Sequence, residues 1–143
     1  MKKFSYELQD VLDYRNFQQD QAEAELSKAL AVENEINESL ALIAQRMVSL
    51  KQESKGITDF NLISNQYNFV KVLEAQKEEY LKRLAEAKLV TDEKRAALQE
   101  CIKKTTALEK LKDQKLSEYK EMAKSEEKKF LDDLATTRYK NNQ

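Results

Sequence analysis

The stretch Lys55-Gly56-Ile57-Thr58-Asp59 contains the single glycine of a 143-residue chain that has no proline. Gly56 can adopt the left-handed backbone conformation that ends an α-helix. Thr58 or Asp59 can cap a following helix, because their side-chain oxygens accept hydrogen bonds from its free backbone N–H groups. The stretch therefore predicts a turn between two helices.

The segments on either side of this turn are long and uninterrupted. Average usage would supply roughly ten glycines and seven prolines in this length, and without them a sheet or a many-element fold lacks its turns. We predict an all-α fold in which two long helices form an antiparallel coiled-coil hairpin. The predicted boundaries are a helix over about 4–54, a turn over about 55–59 and a longer, overhanging helix over about 60–139, in a single coiled-coil domain covering 1–143.

Both segments show the alternating spacing of three and four that defines a coiled-coil seam. The first seam comprises Leu8, Leu12, Arg15, Gln19, Ala22, Leu26, Ala29, Glu33, Ile36, Leu40, Ile43, Met47 and Leu50. The second comprises Ile63, Gln66, Val70, Leu73, Lys77, Tyr80, Leu84, Ala87, Thr91, Lys94, Leu98, Cys101, Thr105 and Leu108.

The turn pairs these seams antiparallel, and we expect the register in which the numbers of facing residues add to 113, here called the 113 register. It places Leu50 opposite Ile63 and Leu40 opposite Leu73, and it brings Glu33 within reach of Lys77. It also leaves everything after about Leu108 without a partner helix. This overhang still carries apolar side chains, which indicates a binding partner; they are Leu111, Leu116, Tyr119, Met122, Phe130, Leu131 and Leu134.

The composition argues against catalysis. The chain has no histidine and one cysteine, so it lacks an imidazole base, the usual zinc ligands and a glycine-rich phosphate loop. Cys101 falls on the seam and is expected to be a small core residue. We predict that the protein is not an enzyme and has no catalytic, cofactor-binding or metal-binding residues.

Charge and hydropathy limit the partners. The formal net charge is −1, whereas a nucleic-acid-binding face is usually basic, so we expect no nucleic acid as the main partner. No window approaches the roughly 18 apolar residues of a membrane span, and the opening residues lack the apolar stretch of a secretory signal. We expect a cytoplasmic protein without direct membrane insertion. A basic cluster leaves an RNA- or lipid-associating helix as an alternative; it comprises Lys103, Lys104, Lys110, Lys112 and Lys115.

Two stretches resemble the bacterial flagellar FliJ family. One is the opening Phe4-Ser5-Tyr6-Glu7-Leu8-Gln9-Asp10-Val11-Leu12-Asp13-Tyr14-Arg15. The other runs from Leu108-Glu109-Lys110-Leu111-Lys112 through Glu118-Tyr119 to the segment Phe130-Leu131-Asp132-Asp133-Leu134-Ala135-Thr136-Thr137-Arg138. Together they extend over nearly the whole chain.

The resemblance implies a non-catalytic stalk of the flagellar type III export apparatus. Its expected partners are the hexameric flagellar export ATPase, the cytoplasmic domain of the export gate and export chaperones. It would lie in the cytoplasm, peripheral to the inner membrane. A structural coiled-coil adaptor or homodimer without an ATPase partner remains the alternative function.

The resemblance also implies two sets of contact residues. The expected ATPase-binding residues are Phe4, Leu8, Leu12, Arg15, Tyr119, Phe130, Leu134 and Arg138. The expected gate-binding residues are Phe69, Leu73 and Tyr80. Phe69 has no position on the seam, so its side chain is expected to remain partly exposed.

Overall fold

The computed structural model describes residues 2–141 and contains two helices. Helix α1 spans Gln9–Glu53 (45 residues) and helix α2 spans Phe60–Asn141 (82 residues). The helices pack against each other as a hairpin, and no strand occurs in the described part of the chain. The predicted all-α hairpin with a longer second helix is confirmed. Met1, Asn142 and Gln143, which the predicted 1–143 domain included, lie outside the described residues.

The chain divides into two compact units, which are described separately. Unit 1 comprises Met1–Asp20 and Glu100–Gln143, and unit 2 comprises Gln21–Gln99. The single domain over 1–143 therefore stays a prediction. Unit 2 contains the turn between the helices, and unit 1 contains the first residues of the chain and the end of α2.

The turn in unit 2 has the predicted chemistry. Gly56 has a φ of 83°, which lies in the left-handed region, and the Ile57 N–H donates to the Ser54 carbonyl at 3.4 Å. Asp59 is the residue that caps α2, since its Oδ1 accepts a hydrogen bond from the Asn61 N–H at 3.0 Å. The predicted stretch therefore lies in the connection between the end of α1 and the start of α2.

The predicted seams are the buried faces of the two helices in unit 2. Seam residues of α1 between 22 and 50 are half-buried or buried, and so are those of α2 between 66 and 98 apart from the exposed Lys77. The buried apolar side chains of unit 2 are Ala29, Ile43, Leu73 and Ala87. The predicted seam positions of unit 2 are confirmed apart from Lys77 and Ile63, which are exposed.

The 113 register is wrong. Thr91 Oγ1 donates a hydrogen bond to Glu33 Oε2 at 2.8 Å, whereas the 113 register places Glu33 opposite Tyr80, roughly 16 Å along the axis from Thr91 at 1.5 Å per residue. Two side chains of these lengths do not bridge that separation. Glu33 accordingly binds Thr91 and not the predicted partner, Lys77.

The observed register differs by about one heptad, or two helical turns. This offset places Ala29 opposite Thr91 and Glu33 opposite Ala87, one turn from Thr91, so the side chains of Glu33 and Thr91 can meet. A residue of α1 faces a residue of α2 further from the turn, so the first two turns of α2 project past the end of α1. Phe60 and Ile63 are consequently 79% and 44% exposed, and Ile63 does not reach its predicted burial.

The backbone conformation of Gly56 supplies a stability prediction. A Cβ at this position would meet no atom within 4 Å. Only the positive φ therefore makes a side chain at this position unfavourable. We expect Gly56→Ala to lower the free energy of unfolding by about 1 kcal/mol, and Gly56→Val by more, because a β-branched side chain tolerates positive φ poorly. Urea unfolding followed by circular dichroism measures both.

Gly56→Asn is the matched control, because asparagine enters the left-handed region more readily than alanine. It should lie between the parent and Gly56→Ala in stability. Equal stability of Gly56→Val and the parent would show that the turn does not depend on this conformation.

Candidate functional site

The opening segment of unit 1, residues 2–8, is not helical, so the expectation of a helix from about Phe4 is wrong. Helix α1 begins at Gln9. Phe4 and Tyr6 are half-buried while Ser5 and Glu7 are exposed, and this alternation is typical of extended chain. Packing of the two aromatic side chains against α2 explains why the segment does not continue the helix.

Three contacts hold the 2–8 segment on α2 within unit 1. The Phe4 and Tyr119 rings lie 5.5 Å apart between centroids with an interplanar angle of 53°. The Tyr6 hydroxyl donates to the Leu108 carbonyl at 3.0 Å. The Tyr119 hydroxyl donates to the Lys2 carbonyl. The segment is thus anchored at both of its ends by aromatic residues.

These contacts leave a groove of about 480 Å³ between the 2–8 segment and α2. Apolar side chains of Leu8, Leu111 and Met122 line it, together with Lys115 and Glu118, whose Nζ and Oε2 atoms lie 3.8 Å apart. This part of α2 was expected to have no partner helix, and its neighbour is the opening segment, which is not helical. The opening segment lies along α2 from Leu108 to Tyr119.

The remaining part of α2, residues 124–141, is exposed along its whole length and is called the overhang. Phe130 is 63% and Leu134 43% exposed, and Arg138 is also exposed. These three residues follow one another at intervals of four, so they lie on one face of the helix. The overhang presents two apolar groups and a guanidinium group in a row.

The other predicted ATPase-binding residues occupy different environments in unit 1. Leu12 is 4% exposed and belongs to the core. Leu8 is 37% exposed beside the groove. Arg15 is half-buried, and its Nη1 donates to Gln18 Oε1 at 3.0 Å. The structure brings Phe4, Leu8 and Tyr119 together at the groove, while Phe130, Leu134 and Arg138 lie on the overhang.

The predicted gate-binding residues lie in unit 2. Phe69 is 46% exposed, which confirms its predicted partial exposure. Tyr80 is half-buried, and the Arg83 guanidinium carbon lies 5.4 Å from the centre of its ring. Leu73 is 1% exposed, so its side chain packs between the helices and is inaccessible while they remain paired.

Sequence reasoning missed Tyr6 and Tyr67. Tyr6 anchors the opening segment, and the aromatic alternation of Phe4 and Tyr6 was the signal that could have indicated an extended strand. Tyr67 is 61% exposed two residues before Phe69, and Lys71 Nζ lies 4.7 Å from its ring centre. Both aromatic groups extend the surfaces that the prediction identified.

The described residues offer binding surfaces and little reactive chemistry. No group of three or more acidic or cysteine side chains in residues 2–141 is arranged to hold a metal ion. The Cys101 thiol is half-buried on the seam and faces the Gln18 carbonyl at 3.9 Å. Neither α1 nor α2, over the residues described, has a stretch sufficiently long and apolar to span a bilayer.

The fold and these surfaces define an antiparallel two-helix coiled coil that presents apolar and charged side chains at an open groove and an unpaired helix end. The flagellar FliJ protein family matches residues 4–143. The chain belongs to this family and is a component related to flagellar export. No match is found among curated proteins or among solved structures.

The contacts of Tyr119 supply a prediction about the 2–8 segment. Tyr119→Ala removes an aromatic pair and a hydrogen bond, which together contribute about 2 kcal/mol. We expect chymotrypsin to cleave after Phe4 and Tyr6 at least tenfold faster than in the parent, as measured by mass spectrometry of the products.

Tyr119→Phe keeps the ring and should show an intermediate rate. Tyr139→Ala is the control, because Tyr139 is 68% exposed and its removal should not affect the opening segment. An unchanged cleavage rate in Tyr119→Ala would show that Tyr119 does not hold the segment.

Proposed function

We propose that this protein is a non-catalytic stalk that binds the hexameric flagellar export ATPase through unit 1. The observation that carries the proposal is the overhang of residues 124–141, an unpaired helix that exposes Phe130, Leu134 and Arg138 on one face. Family membership supports a role in flagellar export. The resemblance described above supplies the ATPase as the partner.

The chemistry of this face suits a protein partner. Aromatic and arginine side chains are enriched among the residues that dominate interface energies. A single helix without neighbours can enter a narrow opening and contact the partner around its circumference. The apolar groups would be buried there, while Arg138 would pair with an acidic group.

The groove of unit 1 forms the second part of the proposed ATPase-binding surface. Phe4, Leu8 and Tyr119 meet there, which supports the inclusion of residues from both ends of the chain. Leu12 is buried and stabilises the packing beneath this surface. Arg15 can contribute through the aliphatic and charged portions of its half-buried side chain.

We assign the contact with the cytoplasmic domain of the export gate to unit 2. Phe69 and the neighbouring Tyr67 present exposed aromatic rings, and Tyr80 adds a half-buried one. Leu73 lies one helical turn from Phe69 and is buried, so its role in this surface is to position α2. Binding of export chaperones, a cytoplasmic location and peripheral attachment to the inner membrane complete the proposal.

Truncation of the overhang tests ATPase binding. A chain ending after Ala123 retains the groove and the helix pairing, so its melting temperature should change little, but we expect it to lose its stimulation of ATP hydrolysis by the purified flagellar export ATPase. Phe130→Ala and Arg138→Ala should each weaken binding about tenfold or more, since such residues contribute on the order of 2 kcal/mol at interface hot spots.

Phe60→Ala is the matched control, because Phe60 is also a highly exposed phenylalanine but lies at the turn in unit 2. It should stimulate the ATPase as the parent does. Full stimulation by the truncated chain would remove the overhang from the ATPase-binding site. Concentration-dependent self-association without any ATPase binding would favour the alternative structural role.

A pair of alanine variants tests the assignment of the gate surface. Phe69→Ala should weaken binding to the purified cytoplasmic domain of the export gate by about tenfold and leave the melting temperature nearly unchanged. Leu73→Ala should instead lower the free energy of unfolding by about 3 kcal/mol, because it opens a cavity in the core. Calorimetric titration and thermal unfolding separate the two effects. A Phe69→Ala variant that binds the gate normally but is less stable than the parent would show that Phe69 has a structural role.

A further inference from the structure

The seams of unit 2 are compatible with two registers. In the 113 register seam residues face seam residues, and this is also true of the observed register, because the seams repeat with nearly the same period. The two arrangements differ by about one heptad, or roughly 10.5 Å along the axis. A pair of helices with such a repeat can pass between registers without exchanging its buried face.

The observed register is unfavourable near the turn. Ile63 remains 44% exposed although it lies on the seam, and Gln66 Oε1 is buried with no hydrogen-bond partner among the described residues. The 113 register would place Ile63 opposite Leu50 and cover it. Apolar burial at this end of unit 2 therefore favours the register that is not observed.

A polar contact further from the turn favours the observed register. Thr91 is 1% exposed, and its hydroxyl lies 2.8 Å from the half-buried Glu33 carboxylate. Hydrogen bonds to charged groups stabilise more than neutral ones, and the 113 register would break this one. Lys94 Nζ and Glu25 Oε2 lie 3.8 Å apart and form an ion pair that also favours the observed register. This pair is exposed, so it contributes less to stability.

The connection between the helices allows both arrangements. Glu53 and Phe60 lie opposite each other in the 113 register, and residues 54–59 easily span the roughly 8–10 Å between packed helix axes. The observed register moves α2 two turns further past the end of α1, and residues 54–59 are long enough to cover this additional distance of roughly 10.5 Å. No residue of the turn has to enter a helix for the exchange to occur.

We infer that the helices of unit 2 form a two-register switch, in which the hydrogen bond from Thr91 to Glu33 holds the observed register and its loss admits the 113 register. Displacement of one packed element along another is an established kind of switching transition. The switch is a property of the hairpin itself and does not depend on the proposed partners. If the proposed function holds, a partner that prefers one register would shift the population toward it.

Cysteine crosslinking in the free, full-length protein tests the inference. On a Cys101→Ser background, Met47→Cys with Leu73→Cys reports the observed register, and Leu40→Cys with Leu73→Cys reports the 113 register. Before any further change we expect the first pair to form a disulfide faster. Adding Thr91→Val should increase the yield of the Leu40 pair relative to the Met47 pair by about tenfold, because valine keeps the shape of threonine and lacks its hydroxyl.

Thr91→Ser is the matched control, since it keeps the hydroxyl and should leave the crosslinking ratio at the parent value. Glu33→Ala supplies an independent variant that removes the acceptor, and it should shift the ratio as Thr91→Val does. Circular dichroism establishes that each variant is helical. An unchanged ratio in both Thr91→Val and Glu33→Ala would overturn the inference.

The two oxidised double-cysteine proteins also separate this inference from the proposed function. If the registers transmit a signal, the two locked forms should differ in ATPase stimulation, and reduction should remove the difference. If both locked forms stimulate the ATPase equally, the register does not transmit a signal. Failure of the reduced parent to stimulate the ATPase would instead contradict the proposed function and leave the crosslinking result standing.

Discussion

Two helices that pair without a third element can bury one seam from each and little more. In unit 2 this leaves four buried apolar side chains, and two of them are alanines. The apolar contribution to stability is correspondingly small, so individual polar contacts have a large influence on the geometry. The hydrogen bond from Thr91 to Glu33 is the contact on which the register of unit 2 depends, and the exposure of Ile63 and Phe60 follows from that register.

The features that local chemistry determines were predictable from the sequence. Gly56 and Asp59 identified the turn because positive φ and helix capping are properties of individual residues, and the seam positions followed from periodicity alone. Phe69 was correctly expected to be exposed because it has no seam position. The register was not predictable in this way, because a repeating seam matches itself after a displacement of one heptad, and the polar pair that selects between the alternatives is separated by 58 residues. The opening segment was mispredicted for a related reason, since its conformation depends on Tyr119 and Leu108, which are distant in sequence.

The distribution of surfaces is consistent with the function proposed for a member of the FliJ family. Unit 1 contains the groove between the opening segment and α2 and an exposed helix end, and these two surfaces differ in availability. The overhang can bind without rearrangement, whereas the groove residues Phe4 and Tyr119 already contact each other. A partner that uses the groove must therefore compete with the opening segment or bind on top of it. Unit 2 presents its aromatic groups beside the helix seam, where binding and helix pairing can influence each other.

The opening segment has a consequence for biosynthesis. Its binding surface on α2 contains Leu108 and Tyr119, which are joined to Tyr6 and Lys2 by contacts spanning 102 and 117 residues. At translation rates of about 5–20 residues per second, the segment leaves the ribosome several seconds or more before that surface has been made. During this interval Phe4 and Tyr6 are accessible to chaperones and proteases in the nascent chain. Closure of the segment is therefore among the last events of folding, and it marks a chain whose second helix has been synthesised past Tyr119.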